Sequence, residues 1–235
     1  MYTIHRHPWR VFRKGEFLMT NNTIELPLFP LTVLFPGTVL PLHIFEPRYR
    51  EMIAACQREN KPLGIVLPRP ESEFMREVPH TVGTLAEIHN LEQLEDGRYI
   101  LNAIGVKRFR ILSENRDNAY ISATVEPYED AVEEAPDLTT TSQQARRMFE
   151  EYLAILLQEA NEPDVQANLP GEAEDLSYFI ASFLMNIEDE QKQHFLEMTS
   201  TYQRLCEEIT ILRREVPFMR QILSKKISDD RTMLN

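Results

Sequence analysis

The stretch LPLFPLTVLFPGTVLPLHIFEPRYREMI, Leu26 to Ile53, decides how the rest of the chain is read. It is strongly apolar, yet Pro27, Pro30, Pro36 and Pro41 interrupt it. Proline has no backbone N–H and clashes within a helix, so this run is not a membrane-spanning helix. It reads as short extended segments joined by fixed turns, with Phe35-Pro36-Gly37 as one such turn. From Pro47 the period changes. Proline suits a first helical position, and Tyr49, Met52, Ile53 and Cys56 then share one helical face until Asn60-Lys61-Pro62 stops the helix.

Beyond this helix the strand pattern resumes. Apolar runs at Glu25–Phe29, Thr38–Ile44, Leu63–Leu67, Val82–Leu91, Arg98–Leu112 and Ala119–Pro127 predict five or six short strands in meander order. Asp96-Gly97 signals a hairpin, because glycine accepts the positive φ of a tight turn. Asn115-Arg116-Asp117-Asn118 marks the next reversal, and Pro68 to Thr81 reads as a polar loop carrying Phe74 and Met75. Residues 24–128 thus form a β unit with one embedded helix, predicted to be a small, partly closed barrel.

Residues 129–141 are acidic and aperiodic and read as a linker. From Ser142, a candidate N-cap, the pattern is helical. Ala145, Met148, Phe149, Tyr152, Leu153, Leu156 and Ala160 make the first stripe, and Leu176, Phe179, Ile180, Phe183, Leu184 and Ile187 the second. A short third helix is expected from about Asp189 to Met198 and a fourth from near Thr201. Tyr202, Leu205, Ile209, Leu212, Val216, Met219 and Leu223 then repeat as an a/d seam, in which Pro217 is expected to kink or break the helix. Packing of this seam on its own bundle is favoured over pairing between chains, which is kept as a route to a homo-oligomer. The bundle spans 142–226, with 227–235 as a tail. Residues 1–23 are basic and aromatic and are expected to be a disordered extension or the product of a misplaced start, the true start being Met1 or Met19.

Charge narrows the function. The chain of 235 residues carries a net −12, and residues 129–175 alone hold 13 acidic against 2 basic side chains. Residues 1–128 balance 15 against 15. Nucleic-acid binding needs a basic footprint, and the one basic strip, Lys107-Arg108-Arg110, alternates between faces of a strand. Cys56 and Cys206 have no CxxC partner and read as buried thiols, which, without a secretory leader pattern, points to the cytoplasm. Catalytic signatures are absent. The seven glycines form neither GxGxxG nor a phosphate loop, there is no GxSxG or HExxH, and His43, His80, His89 and His194 are scattered. The adjacent carboxylates Glu133-Glu134 and Glu150-Glu151 read as solvated, so no catalytic residue, metal or cofactor is expected.

Several ordered blocks carry a resemblance. The opening stretch, Gly83-Thr84 with Glu87-Ile88, Asp96-Gly97-Arg98, Gly105 to Ile111, and Lys192-Gln193 with Phe195-Leu196-Glu197 and Arg204-Leu205 are similar to the amino-terminal domain of Lon proteases, over about residues 24–225. The resemblance is strongest to the free-standing Lon-domain proteins of bacteria. It implies an α+β fold, a PUA-like pseudo-β-barrel followed by an α-helical bundle. It also implies a non-catalytic part of the molecule that recognises unfolded or client polypeptides, or regulates a protease, with the ATPase and Ser-Lys peptidase lying downstream of the matched region. The expected partner is therefore protein, with neither nucleic acid nor membrane involved. Candidate contacts are Phe35, His43, Phe45, Tyr49, Phe74 and Met75. An RNA-binding PUA-like module and a cryptic hydrolase are the alternatives.

Overall fold

In a computed structural model the described residues are 23–69, 78–132, 135, 137–160 and 168–233, with side chains described to residue 222. Phe74 and Met75, and residues 1–22 of the expected extension 1–23, lie outside them. The strands are β1 (Ile24–Pro30), β2 (Val39–Ile44), β3 (Leu63–Val66), β4 (Val82–Gln93), β5 (Tyr99–Asn115) and β6 (Ser122–Pro127). The helix α1 (Pro47–Glu59) sits between β2 and β3. Four more helices follow: α2 (Leu138–Glu159), α3 (Ala173–Phe183), α4 (Asp189–Glu197) and α5 (Thr201–Met233). The class is α+β, as the sequence predicts.

Local chemistry accounts for several boundaries. Pro47 opens α1, and Tyr49, Met52, Ile53 and Cys56 are its buried face. Asn60 ends it in the left-handed conformation, at φ 50°. At the β4–β5 hairpin Gly97 takes φ 80°, and Leu94 and Arg98 close the turn with a backbone hydrogen bond of 2.8 Å.

The sheet order corrects the meander. It is β2-β5-β4-β3-β1-β6, and β5 also pairs with β6, so the pairings run in a ring. β1 enters between β3 and β6 and is parallel to β3, with Leu28 opposite Gly64. A parallel pair needs a crossover, and β2 with α1 supplies it. Among the described residues β2 pairs only with β5, and it carries Pro41 at this edge, where a missing donor is tolerated.

The helical half also departs from expectation at three places. α2 begins at Leu138, ahead of Ser142, with Asp137 in the cap position. Leu138 packs against the helical core, and this contact outweighs the weak helix preference of Thr139, Thr140 and Thr141. α5 continues through Pro217 and on to Met233, past the boundary expected at 226. Its seam is buried within its own bundle, where Leu205, Ile209, Leu212, Val216 and Met219 pack with Phe149, Tyr152, Leu176 and Ile180.

The expected linker is not a free tether. The Tyr128 backbone N–H donates to the Arg108 carbonyl at 3.1 Å, and that of Ala131 donates to the Thr199 carbonyl at 2.8 Å. The Tyr128 hydroxyl donates to the Glu197 carbonyl at 2.8 Å. The apolar cores meet as well, since Phe35 and Val82 from the β half lie inside the helical cluster. Phe35, 2% exposed, stacks on Tyr178 with ring centroids 6.1 Å apart. The Phe35-Pro36-Gly37 turn is thus the plug that joins the two halves.

Candidate polypeptide-binding face

The two-residue period of β2 sorts its side chains. Leu42 and Ile44 point inward to the cluster that α1 covers, while Val39, Pro41 and His43 are exposed. Directly opposite residues of paired strands point to the same face. Val39 faces Ile104, Pro41 faces Asn102 and His43 faces Ile100 on β5. The rows continue onto β4, where Ile104 faces Glu87, Asn102 faces His89 and Ile100 faces Glu92. A register shift between His89 and Glu92, with Asn90 at φ 51°, resets the alternation, so that Leu91 packs on the core and Glu92 is exposed.

The result is a sheet face that no element among the described residues covers, with an apolar border on β2 and β5 and a carboxylate border on β4. Val39 is 43% exposed, Ile100 45%, and Phe45, just beyond β2, 62%. The His43 and Phe45 rings lie 6.2 Å apart. The Arg98 guanidinium donates to His43 Nε2 at 3.2 Å and pairs with Asp96 at 2.7 Å, which ties the hairpin to the end of β2.

Of the six residues expected to contact a client, this face unites His43 and Phe45. Phe35 is the internal plug described above. Tyr49, 5% exposed, meets Phe29 edge-on at 4.4 Å, so neither ring has a surface to offer. Sequence reasoning did not single out Val39, Ile100 or Ile104. The period-two pattern marks them as sharing a face, but it does not say which face other elements cover.

A second constellation lies between the halves and is structural in character. Arg108 on β5 is buried and donates to the carbonyls of Leu196 and Met198, each at 2.6 Å, and pairs with Asp130. Arg204 on α5, 0% exposed, pairs with the same carboxylate at 2.9 Å and donates to Ser177 Oγ at 2.7 Å. Thr201 Oγ1 donates to Asp130 at 2.6 Å. Both guanidiniums also lie over the Tyr178 ring, at 5.5 and 4.3 Å. Burial pushes the Asp130 carboxyl up, but its hydrogen bonds and the two guanidiniums outweigh that and hold it below the ordinary carboxylate range. With Arg108 committed here, the basic strip of β5 is reduced at the surface to Arg110, exposed, and Lys107, half-buried.

The thiols fit their expected role only in part. Burial, and then the Glu59 charge, pushes Cys56 up to about 11, which keeps it protonated and unreactive at neutral pH. Cys206 is half-buried rather than buried. Among the described residues no group of three or more His, Cys, Asp or Glu could hold a metal, and no helix is long and apolar enough to cross a membrane.

Comparison with known proteins bears on both halves together. The profile of the ATP-dependent protease La (LON) substrate-binding domain matches residues 25–214, across the sheet and most of the bundle. A Lon protease of Anaeromyxobacter dehalogenans is 28% identical over 213 residues, covering 86% of this chain and 24% of that protein. One from Paraburkholderia phytofirmans is 29% identical, covering 89% and 27%. The chain therefore spans about a quarter of the length of these curated relatives. Among solved structures, a Lon N-terminal domain protein from Xanthomonas campestris superposes with a TM-score of 0.58 at 26% identity, over 80% of this chain and 98% of that one. The N-terminal domain of a Mycobacterium avium complex Lon protease gives 0.62 at 17% identity, over 81% and 98%, a likeness of fold. A profile that runs from β1 into α5 covers the sheet, the plug and the first part of the buried seam, and the chain belongs to the LON substrate-binding domain family.

Proposed function

We propose that this chain is a polypeptide-recognition module that acts without catalysis of its own, in the cytoplasm. On this reading it captures exposed apolar segments of client proteins on the β2–β5 face. The observation that carries the reading is the uncovered strip of Val39, His43, Phe45 and Ile100, set on a sheet whose other side is packed. Burial of apolar surface drives such contacts, and an aromatic such as Phe45 supplies area at low entropic loss. Family membership supports the same reading, since the matched region is the one described as substrate-binding. Delivery of the bound client to a protease is the further step this role suggests.

The test is fluorescence anisotropy with a labelled, permanently unfolded protein, reduced and carboxymethylated. Binding in the micromolar range is expected. Phe45→Ala combined with Ile100→Ser should weaken it roughly tenfold, the loss expected when anchors worth about 1.4 kcal/mol together are removed. Unchanged affinity in that double variant would place the contact elsewhere and defeat the proposal. ATP and casein should not be turned over by the purified chain, and sustained hydrolysis above buffer would refute the non-catalytic part.

A further inference from the structure

The carboxylate border of the same face has a consequence for which segments it accepts. Glu87 and Glu92 stand on β4 in the same cross-strand rows as Ile104 and Ile100, and both are exposed. Glu92 makes no ion pair with another described residue, and the contact of Glu87 is His89, at 3.3 Å. Arg98, the cation that contacts His43 of the strip, is already held by Asp96. An incoming charged group therefore meets two exposed carboxylates along one side of the strip, Glu92 without an ion-pair partner among the described residues and Glu87 beside His89. Neighbouring strands lie about 4.8 Å apart, so β4 is roughly 10 Å from β2. A lysine or arginine side chain can lay its aliphatic stem over Ile100 or Ile104 and bring its charged head to Glu92 or Glu87. An aspartate or glutamate in the same place would face like charge.

Resting on the binding role proposed above, we infer that the β2–β5–β4 face selects extended apolar polypeptide segments that carry lysine or arginine, and disfavours equally apolar segments that carry aspartate or glutamate. Pro41 fixes the mode. With no N–H at that position β2 cannot offer an unbroken row of backbone donors to an added strand, so recognition runs through side chains on the face rather than by extending the sheet. Exposed ion pairs are individually weak, so the preference is graded. It should shrink as salt screens the charges.

Three labelled peptides decide the matter against the full chain: one set of leucine and valine residues interspersed with four lysines, four serines or four glutamates. The lysine peptide should bind about tenfold more tightly than the glutamate peptide in low salt, with serine between them, and the gap should narrow to about twofold in roughly 0.5 M salt. Glu87→Gln with Glu92→Gln should bring the lysine peptide to the serine level and leave the serine peptide unchanged. Both sites are on the surface, so circular dichroism should show the fold intact. Phe45→Ala with Ile100→Ser should weaken all three peptides alike. Equal binding of lysine and glutamate peptides, still lost in the Phe45/Ile100 variant, overturns the charge preference and leaves the face standing. A lysine preference untouched by the Glu87/Glu92 variant overturns the assignment to these carboxylates. Binding that survives the Phe45/Ile100 variant overturns the underlying face as well.

Discussion

Glu208 is the residue whose environment is most at odds with its charge. It is 0% exposed on α5, where Oε1 accepts from Ser177 and Oε2 has no hydrogen-bond partner. Burial drives its carboxyl well above the ordinary value of 4.5, and the Ser177 hydrogen bond and Arg204 charge only partly oppose this. The folded state therefore keeps a proton that the unfolded chain gives up near pH 4.5. More protons are bound in the folded state, so stability falls as pH rises above that value and levels off only above the folded-state pKa. Glu208→Gln, which imitates the neutral form, should melt at about the parent's temperature near pH 4 and progressively above it toward neutral pH. Asp130 has the opposite sign. Its lowered pKa contributes stability that is present above the ordinary value of 3.8 and lost as pH falls through the folded value. Asp130→Asn leaves two buried guanidiniums short of their shared anion, and chemical denaturation at pH 7 should show a loss of about 3 kcal/mol.

Among the elements, the turn after β1 shows where sequence reading succeeds and where it stops. The prolines and Gly37 in Leu26 to Ile53 mark strand, turn and helix in the right places, because each acts on its own backbone. The parallel pairing of β1 with β3 was not legible, since nothing local records which distant strand fills the place beside it. The same limit applies to the site. Phe35, Tyr49 and Phe45 are alike in sequence, and only tertiary contacts bury the first two and expose the third. Arg204 and Glu208 stand one helical turn apart in the sequence, but nothing in their spacing announces that both are buried. The plug has a strict packing requirement. A Cβ on Gly105 would meet the Phe35 carbonyl, a backbone atom that cannot swing aside. Gly105→Ala should therefore destabilise by about 1–3 kcal/mol. Phe35→Ala, which empties a site among Tyr178 and its neighbours, should cost about 3–5 kcal/mol, both read from denaturant midpoints at unchanged slope.

For the whole molecule, the question is whether sheet and bundle behave as two bodies on a tether. An acidic, aperiodic segment between a strand-rich and a helix-rich half invites that view. The contacts argue otherwise. Phe35 and Val82 belong to the helical core, Gln193 on α4 donates to the Val82 carbonyl at 3.0 Å, and Arg108 reaches from β5 to the carbonyls of Leu196 and Met198. Asp130, from within the expected linker, joins Arg108 to Arg204. Separating the halves would expose a phenylalanine, a valine and an arginine whose partners lie across the junction. These are several independent interactions of a few kcal/mol each, comparable to the total stability of a domain this size. The halves should consequently unfold together. Scanning calorimetry should give one transition with calorimetric and van't Hoff enthalpies equal, whereas a tether would give two transitions or an enthalpy ratio well above one. A fragment ending at Val132 should lack the sharp, cooperative melt of the full chain, because Phe35 and Arg108 then have no bundle to enter. Should that fragment melt cooperatively near the parent temperature, the junction would be a contact between independent bodies and the plug an ornament of the loop.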